Sequence, residues 1–206
     1  MLDKPEGFTV QELAEAYSPL FDAFHPAHRL DKETSGLWLV ALNSAANAEL
    51  SSAFRNRLVK KAYLAVTVKK PKKKQGGIVG DMVRSRSGQW KLAKTRNNPA
   101  ITWFRSVGMK EGYRLVLCRP ETGKTHQIRV ALQSNGSPVF GDALYGGKSA
   151  AGADRLYLHS YALDFSWQGE PFSFCREPSS GHCFSGEEFR TALALFDNPL
   201  GIGPSE

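Results

Sequence analysis

Leu37, Trp38, Leu39, Val40, Ala41 and Leu42 make an apolar run of strand length with no polar alternate, the pattern of a strand covered on both faces. A strand without a wet face needs layers on either side, so this chain must build a sheet with elements packed over it. With 206 residues it has the length to do so, burying roughly 70% of its unfolded surface without staples. The cysteines fit that expectation. Cys118, Cys175 and Cys183 are odd in number and show no metal-ligand spacing, so they read as reduced thiols of a cytoplasmic protein.

The remaining pattern is rich in strands. Leu64, Val66 and Val68 alternate with Tyr63, Ala65 and Thr67, which places the aliphatics in the core and Tyr63 on the opposite, less greasy face. Residues 101–104 and 113–118 form an antiparallel pair joined through Lys110, Glu111 and Gly112, and residues 156–165 form a further strand. Helices are few. Val10, Leu13 and Tyr17 share one helical side that His25 and Pro26 break, and Ala46, Leu50, Phe54 and Leu58 recur every fourth residue. Arg55, Arg57 and Lys60 lie off that stripe and face solvent. Thr125 is expected to cap a helix running to Ser134, with Ile128, Ala131 and Leu132 inside, Arg129 beside the stripe and Gly136 at the end. Ser185 and Glu188 read as a capping box before a helix that buries Phe189, Leu193 and Phe196. Residues 76–98, with Arg84, Arg86 and Gly88, read as weakly ordered hairpins or an insertion, and residues 142–147 as a loop. The class is therefore α+β, with a mixed, mainly antiparallel central sheet and flanking helices. Without repeats or a dividing linker, residues 1–206 are expected to form one domain.

The formal net charge of +7 favours a polyanionic partner. Lys69, Lys70, Lys72, Lys73 and Lys74 crowd around Pro71 with no acid between them. They suit either a solvated, mobile loop or an arm that neutralises phosphates. Several chemistries are disfavoured. No Walker or dinucleotide spacing accompanies Gly146 and Gly147. The five histidines, His25, His28, His126, His159 and His182, lack i, i+4 pairing and cysteine partners for zinc. Ser35 and Ser160 have no nucleophile-elbow context, and Asp31 has no assured second carboxylate for a glycosidase. No apolar run approaches a membrane span.

Three fragments carry the chemistry. They are His28, Arg29, Leu30, Asp31, Lys32, Glu33, Thr34, Ser35 and Gly36; then Lys61, Ala62 and Tyr63; then Thr122, Gly123, Lys124, Thr125, His126, Gln127, Ile128 and Arg129. In this order they closely resemble the motifs H-R-L-D-x-x-T-S-G, K-x-Y and T-G-[RK]-x-H-Q-[IL]-R of the RluA-type RNA pseudouridine synthases. The resemblance covers nearly the whole chain. It implies a bent central sheet, two lobes and a catalytic cleft between them. It implies that Asp31 is the nucleophile, with Tyr63 against the target base and Arg129 paired to Asp31 across the cleft. Arg29 and Lys124 are then candidates to hold phosphates, Leu158 to wall the base pocket, and His28, Lys61 and His126 to contact substrate. The lysines 69, 70, 72, 73 and 74 are expected on the RNA backbone. Uridine isomerisation needs neither redox change nor net hydrolysis, so no cofactor and no metal are expected.

The partner implied is ribosomal or transfer RNA, bound by a monomer without a membrane or an accessory RNA-binding domain. A catalytically idle RNA-binding or RNA-folding module is the alternative. Departures from the family pattern are Ala131 and Ser166–Trp167, where histidines are common, and a start so short that either the first residue is misplaced or an edge strand is absent.

Overall fold

The computed structural model describes residues 1–85 and 89–204. In chain order the strands and helices are β1 (Leu2–Lys4), α1 (Val10–Tyr17), β2 (His25–Pro26), β3 (Ser35–Trp38), β4 (Val40–Ala41), α2 (Ser44–Arg55), β5 (Lys60–Thr67) and β6 (Gln75–Gly80). They continue with β7 (Met82–Arg84), β8 (Trp90–Leu92), β9 (Ala100–Gly108), β10 (Arg114–Pro120), α3 (Gln127–Ser134), β11 (Leu158–Trp167), β12 (Glu170–Cys175) and α4 (Gly186–Leu193). The main sheet has eight strands in the order β1-β3-β11-β5-β10-β9-β6, with β12 added beside β11. All its pairings are antiparallel except β3 with β11. The first part of β11 pairs with β3 and the remainder with β12. A large apolar cluster gathers around β5, β10, α3 and α4, and a smaller one around α2 and Leu163 and Phe165 of β11. No helix among the described residues is long and apolar enough to cross a membrane.

Several expectations are corrected. The apolar run at 37–42 is not one strand. Its chain leaves the sheet after Trp38, and β4 pairs with β2 in a separate ribbon. Leu39 is the bend, because its N–H donates to the His28 ring at 3.0 Å and its carbonyl accepts from Ala27 at 3.0 Å. Leu42 is left 56% exposed. The short edge strand does exist, since β1 pairs with β3 from Leu2–Trp38 to Lys4–Gly36. Strand β5 is central and mostly buried on both faces; Leu64 and Val66 point to one side and Tyr63 to the other, as the alternation predicts. The glycine-rich start of residues 76–98 is a full strand, β6, in which Gly77 leaves room for the Trp103 ring. The rest includes an ordered ribbon of β7 and β8, while Arg86 and Gly88 lie outside the described residues.

Helix ends differ too. Tyr17 is half-exposed and α1 ends there, well before His25 and Pro26 form β2. Leu58 lies beyond α2 and is 69% exposed. Thr125 does not cap α3; the residue before the helix is His126, in the left-handed region with φ 56°. The Gln127 side chain ties the turn instead, accepting from the Lys124 N–H at 3.0 Å and the Thr122 hydroxyl at 2.7 Å. Residues Gln127 through Leu132 are all buried, so α3 is a central helix and Arg129 is inside it. Ser185 makes no capping box, because its hydroxyl turns to the His182 carbonyl and Glu188 accepts from the Lys110 N–H. A capping box is present at Thr9 and Glu12 of α1.

Candidate active site

The Asp31 segment is fastened from behind. Lys4 is buried, and its ammonium donates to the carbonyls of Pro5, Phe8 and Lys32 at 2.7, 2.7 and 2.9 Å. Burial lowers its pKa to about 8. On the other side, the Ser35 hydroxyl accepts from Arg155 at 2.6 Å and donates to His159 Nδ1 at 2.8 Å. The Arg176 carbonyl, 2.8 Å from His159 Nε2, can only accept, which assigns the ring proton to Nε2. Burial pushes the His159 pKa down to about 4, so this ring is neutral near pH 7. Gly36 has φ 107°, and any Cβ there would overlap the Ser160 backbone, so the glycine of the first motif is dictated by close approach of β3 to β11.

Opposite Asp31, α3 delivers Arg129. Its Nε and Nη2 donate to the two oxygens of Asp142, both at 2.8 Å, and its remaining Nη1 stands 3.6 Å from Asp31 Oδ2. The expected approach of Arg129 to Asp31 is therefore observed, but the tighter partner is Asp142. That carboxylate is fully buried and also accepts the N–H groups of Leu144 and Tyr145 at 3.0 and 2.9 Å. A fork held on one carboxylate leaves only one nitrogen to aim at the other. The guanidinium also lies over the Tyr145 ring, 5.1 Å from its centroid. His126 reaches the same place, with Nε2 4.0 Å from Asp31 Oδ2 and Nδ1 2.9 Å from the Tyr145 hydroxyl.

A cavity of about 540 Å³ opens in front of this group. Asp31, Tyr63, Arg129, His28, Arg29, Lys61, Lys124, His126 and Leu158 all line it. Burial and the facing Asp31 charge raise the Tyr63 pKa to about 12, so its hydroxyl keeps its proton. Burial, assisted by the neighbouring Arg57 charge, lowers the Lys61 pKa to about 8. Lys61 donates to the Thr122 carbonyl at 3.4 Å and Lys124 to Asn98 at 2.9 Å. The His28 ring is engaged: it stacks on Phe54 at 4.3 Å and accepts the Leu39 N–H. Burial lowers its pKa to about 3, with Lys61 opposing its charge further.

Arg55 and Arg57 line the cavity as well, although their place off the α2 stripe had assigned them to solvent alone. Asp142 and Tyr145 were missed altogether. Only their shared loop hinted at them, since a lone loop Asp carries no signal of its partner. The residues 69–74 are elsewhere. Pro71 is buried, and the backbone is pinned to the far end of α3 by Lys72 N–H to the Asn135 carbonyl at 2.8 Å and Asn135 to the Lys73 carbonyl at 3.0 Å. The loop is anchored through its backbone, its lysines are exposed, and it does not line the cavity.

Comparison with known proteins agrees with this architecture. The RNA pseudouridylate synthase family profile matches residues 1–134. A protein of Haemophilus influenzae, named an uncharacterized RNA pseudouridine synthase, is 51% identical over 154 residues, covering 75% of this chain and 68% of that one. A ribosomal large subunit pseudouridine synthase C of Rickettsia bellii is 38% identical over 142 residues. There the match covers 66% of this chain and only 47% of the relative. Among solved structures, human RNA pseudouridylate synthase domain containing 1 superposes with a TM-score of 0.75 at 27% identity, over 96% of this chain and 90% of that one. With its three motifs gathered on one cavity, this chain belongs to the RNA pseudouridylate synthase family.

Proposed function

We propose that this chain isomerises uridines in structured RNA to pseudouridine. In that reaction the N1–C1′ bond breaks, the base turns, and a bond forms from C5 to C1′; N1 gains a proton and C5 loses one. The observation that carries the proposal is the half-buried carboxylate of Asp31, held 3.6 Å from an arginine that Asp142 has already fixed. Asp31 attacks the nucleotide as an ionised nucleophile, and the Arg129 guanidinium supports its charge in a closed site. Tyr63, its hydroxyl protonated, lies against the base and moves a proton during the rearrangement. Leu158 walls the base.

A uridine inside a helix must be taken out of the stack to reach Asp31. The cavity rim suits this, because Arg29, Arg55, Arg57, Lys61 and Lys124 can hold the flanking phosphates. The lysines 69, 70, 72, 73 and 74 add sequence-independent affinity from the far end of α3. Of the two RNA classes expected, the name of the Rickettsia relative favours ribosomal RNA. Residues 1–206 are read as one catalytic domain, working as a cytoplasmic monomer.

Asp31→Asn keeps the shape and removes the charge. Its turnover of RNA tritiated at uridine C5, followed by tritium release, should fall by on the order of 10⁴-fold or more, while RNA binding and unfolding midpoint stay near wild type. Comparable release by the variant would overturn the role of Asp31. The rival reading, an idle RNA-binding module, shares the cationic rim and would give no release from wild type on any RNA.

A further inference from the structure

His126 has two ring nitrogens with unlike neighbours. Nδ1 meets the Tyr145 hydroxyl at 2.9 Å, and Nε2 faces Oδ2 of Asp31 at 4.0 Å. The Tyr145 hydroxyl in turn accepts the Trp90 N–H at 3.1 Å. A hydroxyl has one proton to give and two lone pairs to receive with. If Tyr145 also accepted from Nδ1, a neutral ring would turn its Nε2 lone pair on the carboxylate, and like would face like. If Tyr145 donates to Nδ1, Nε2 carries the hydrogen and points it at Oδ2. Of the two neutral tautomers, only this second one gives every atom a complementary neighbour. Burial lowers the His126 pKa even though Asp31 opposes that shift, which agrees with a neutral ring.

Two more facts bear on what this tautomer does. The approaches of Arg129 Nη1 at 3.6 Å and His126 Nε2 at 4.0 Å to Asp31 are to the same oxygen, Oδ2. Tyr145 is itself fixed from two sides, through its buried N–H to Asp142 and the Arg129 guanidinium over its ring. The loop that orients Arg129 thus orients His126 as well.

We infer that Tyr145 is a positioning residue: its hydroxyl locks His126 as the Nε2–H tautomer, so that Asp31 keeps Oδ2 between two donors and presents Oδ1 to the nucleotide. This rests on Asp31 being the attacking group. Holding one carboxylate oxygen restricts the rotation of the other and keeps it near an attack geometry.

The test needs no activity for its first arm. In protein labelled with ¹⁵N-histidine, two-bond ¹H–¹⁵N correlations separate the two tautomers, and His126 of wild type should be Nε2–H. In Tyr145→Phe both tautomers should appear, and kcat should fall by up to about tenfold, the worth of one hydrogen bond, with KM within about twofold. His126→Gln, whose amide can still donate to Asp31, should keep more activity than His126→Leu. Adding Tyr145→Phe to His126→Gln should then cost little more. An Nδ1–H ring in wild type overturns the inference. So does a Tyr145→Phe loss of undiminished size in the His126→Gln background, because Tyr145 would then act through Trp90. Absence of pseudouridine formation by wild type would instead defeat the proposed reaction and leave the tautomer result standing.

Discussion

Two arginine–histidine pairs flank the segment from Asp31 to Ser35, and they are satisfied to different degrees. Arg155 and His159 meet the Ser35 hydroxyl at 2.6 and 2.8 Å, and Arg155 also reaches Ser180 at 2.6 Å and Glu6 at 3.2 Å. Arg129 and His126 stand off from Asp31 at 3.6 and 4.0 Å. The slack is not poor packing, since Arg129 holds Asp142 at 2.8 Å with two other nitrogens. It is confined to one carboxylate. The pair behind Ser35 is saturated, as a buried polar network must be to stabilise a fold. The pair before Asp31 leaves room for a third party, and contacts of that kind tighten when substrate arrives.

The contrast predicts that two neighbouring acids of the same cluster differ sharply in what they hold. Asp142→Ala strands a buried guanidinium and two backbone donors, and should lower urea unfolding stability by about 3–5 kcal/mol. Asp31→Asn removes only long contacts, 3.6 and 4.0 Å, on a partly exposed group and should change stability by less than ~1 kcal/mol. Equal costs for the two would break the comparison.

Acid tells the two histidines apart. His159 has its folded pKa depressed from the ordinary 6.5 to about 4. The unfolded chain therefore binds more protons between those values. This stability is fully present above pH 6.5 and is lost as pH falls through about 4, by roughly 3 kcal/mol in all. His28, lowered to about 3, steepens the same limb and carries it further into acid. Urea midpoints measured from pH 7.5 to 4 should show the loss in wild type, and a shallower limb in His159→Gln. His126→Gln should keep most of the wild-type slope, because that ring is more exposed than His159 and faces the Asp31 carboxylate, which opposes the lowering of its pKa. If both variants flatten the profile alike, the saturated and slack pairs are not distinct in kind.

Tyr63 sharpens the slack side. Tyr63→Phe keeps the ring in its buried strand and removes one hydroxyl, so the fold and RNA binding should hold. A role in proton transfer makes kcat fall by about 10²-fold or more. Full activity in the variant would reduce the hydroxyl to packing and leave the strand argument intact.

What was legible follows from the same contrast. Asp31, Tyr63 and Arg129 could be read because motif order and strand alternation are local signals, and the structure gathers all three on one cavity. Asp142 could not, since its meaning comes from a guanidinium thirteen positions earlier that only the fold brings round. The strand at 37–42 misled because hydrophobicity reports burial, not direction. The bend is made by a hydrogen bond from Leu39 to His28, which no apolar pattern encodes. Gly76 and Gly77 read as weakly ordered hairpins or an insertion for a related reason. The Trp103 ring that needs the space at Gly77 sits on another strand. The sheet class was legible because turn spacing and alternation are sequence-local, and the mainly antiparallel pairing agrees with it.

The smallest expected effect lies at the other end of α3, where the lysine loop offers a rival to the cleft as the source of RNA affinity. Lys72 already donates to the Ser134 carbonyl at 2.9 Å, a cation at the helix's negative end. That contact alone is a structural reason for one lysine, but not for Lys73 and Lys74, whose side chains are exposed. If these three meet phosphates, replacing Lys72, Lys73 and Lys74 with Gln should lower the slope of log affinity against log salt by up to about two, at ~0.7 for each single-strand contact. The loss should be alike for target and unrelated RNA, because lysines on an anchored loop away from the cavity have no base edge to read. kcat at saturating RNA should stay unchanged. A slope equal to wild type would mean that the loop only caps α3, and that the arginines and lysines of the cavity rim hold the RNA by themselves.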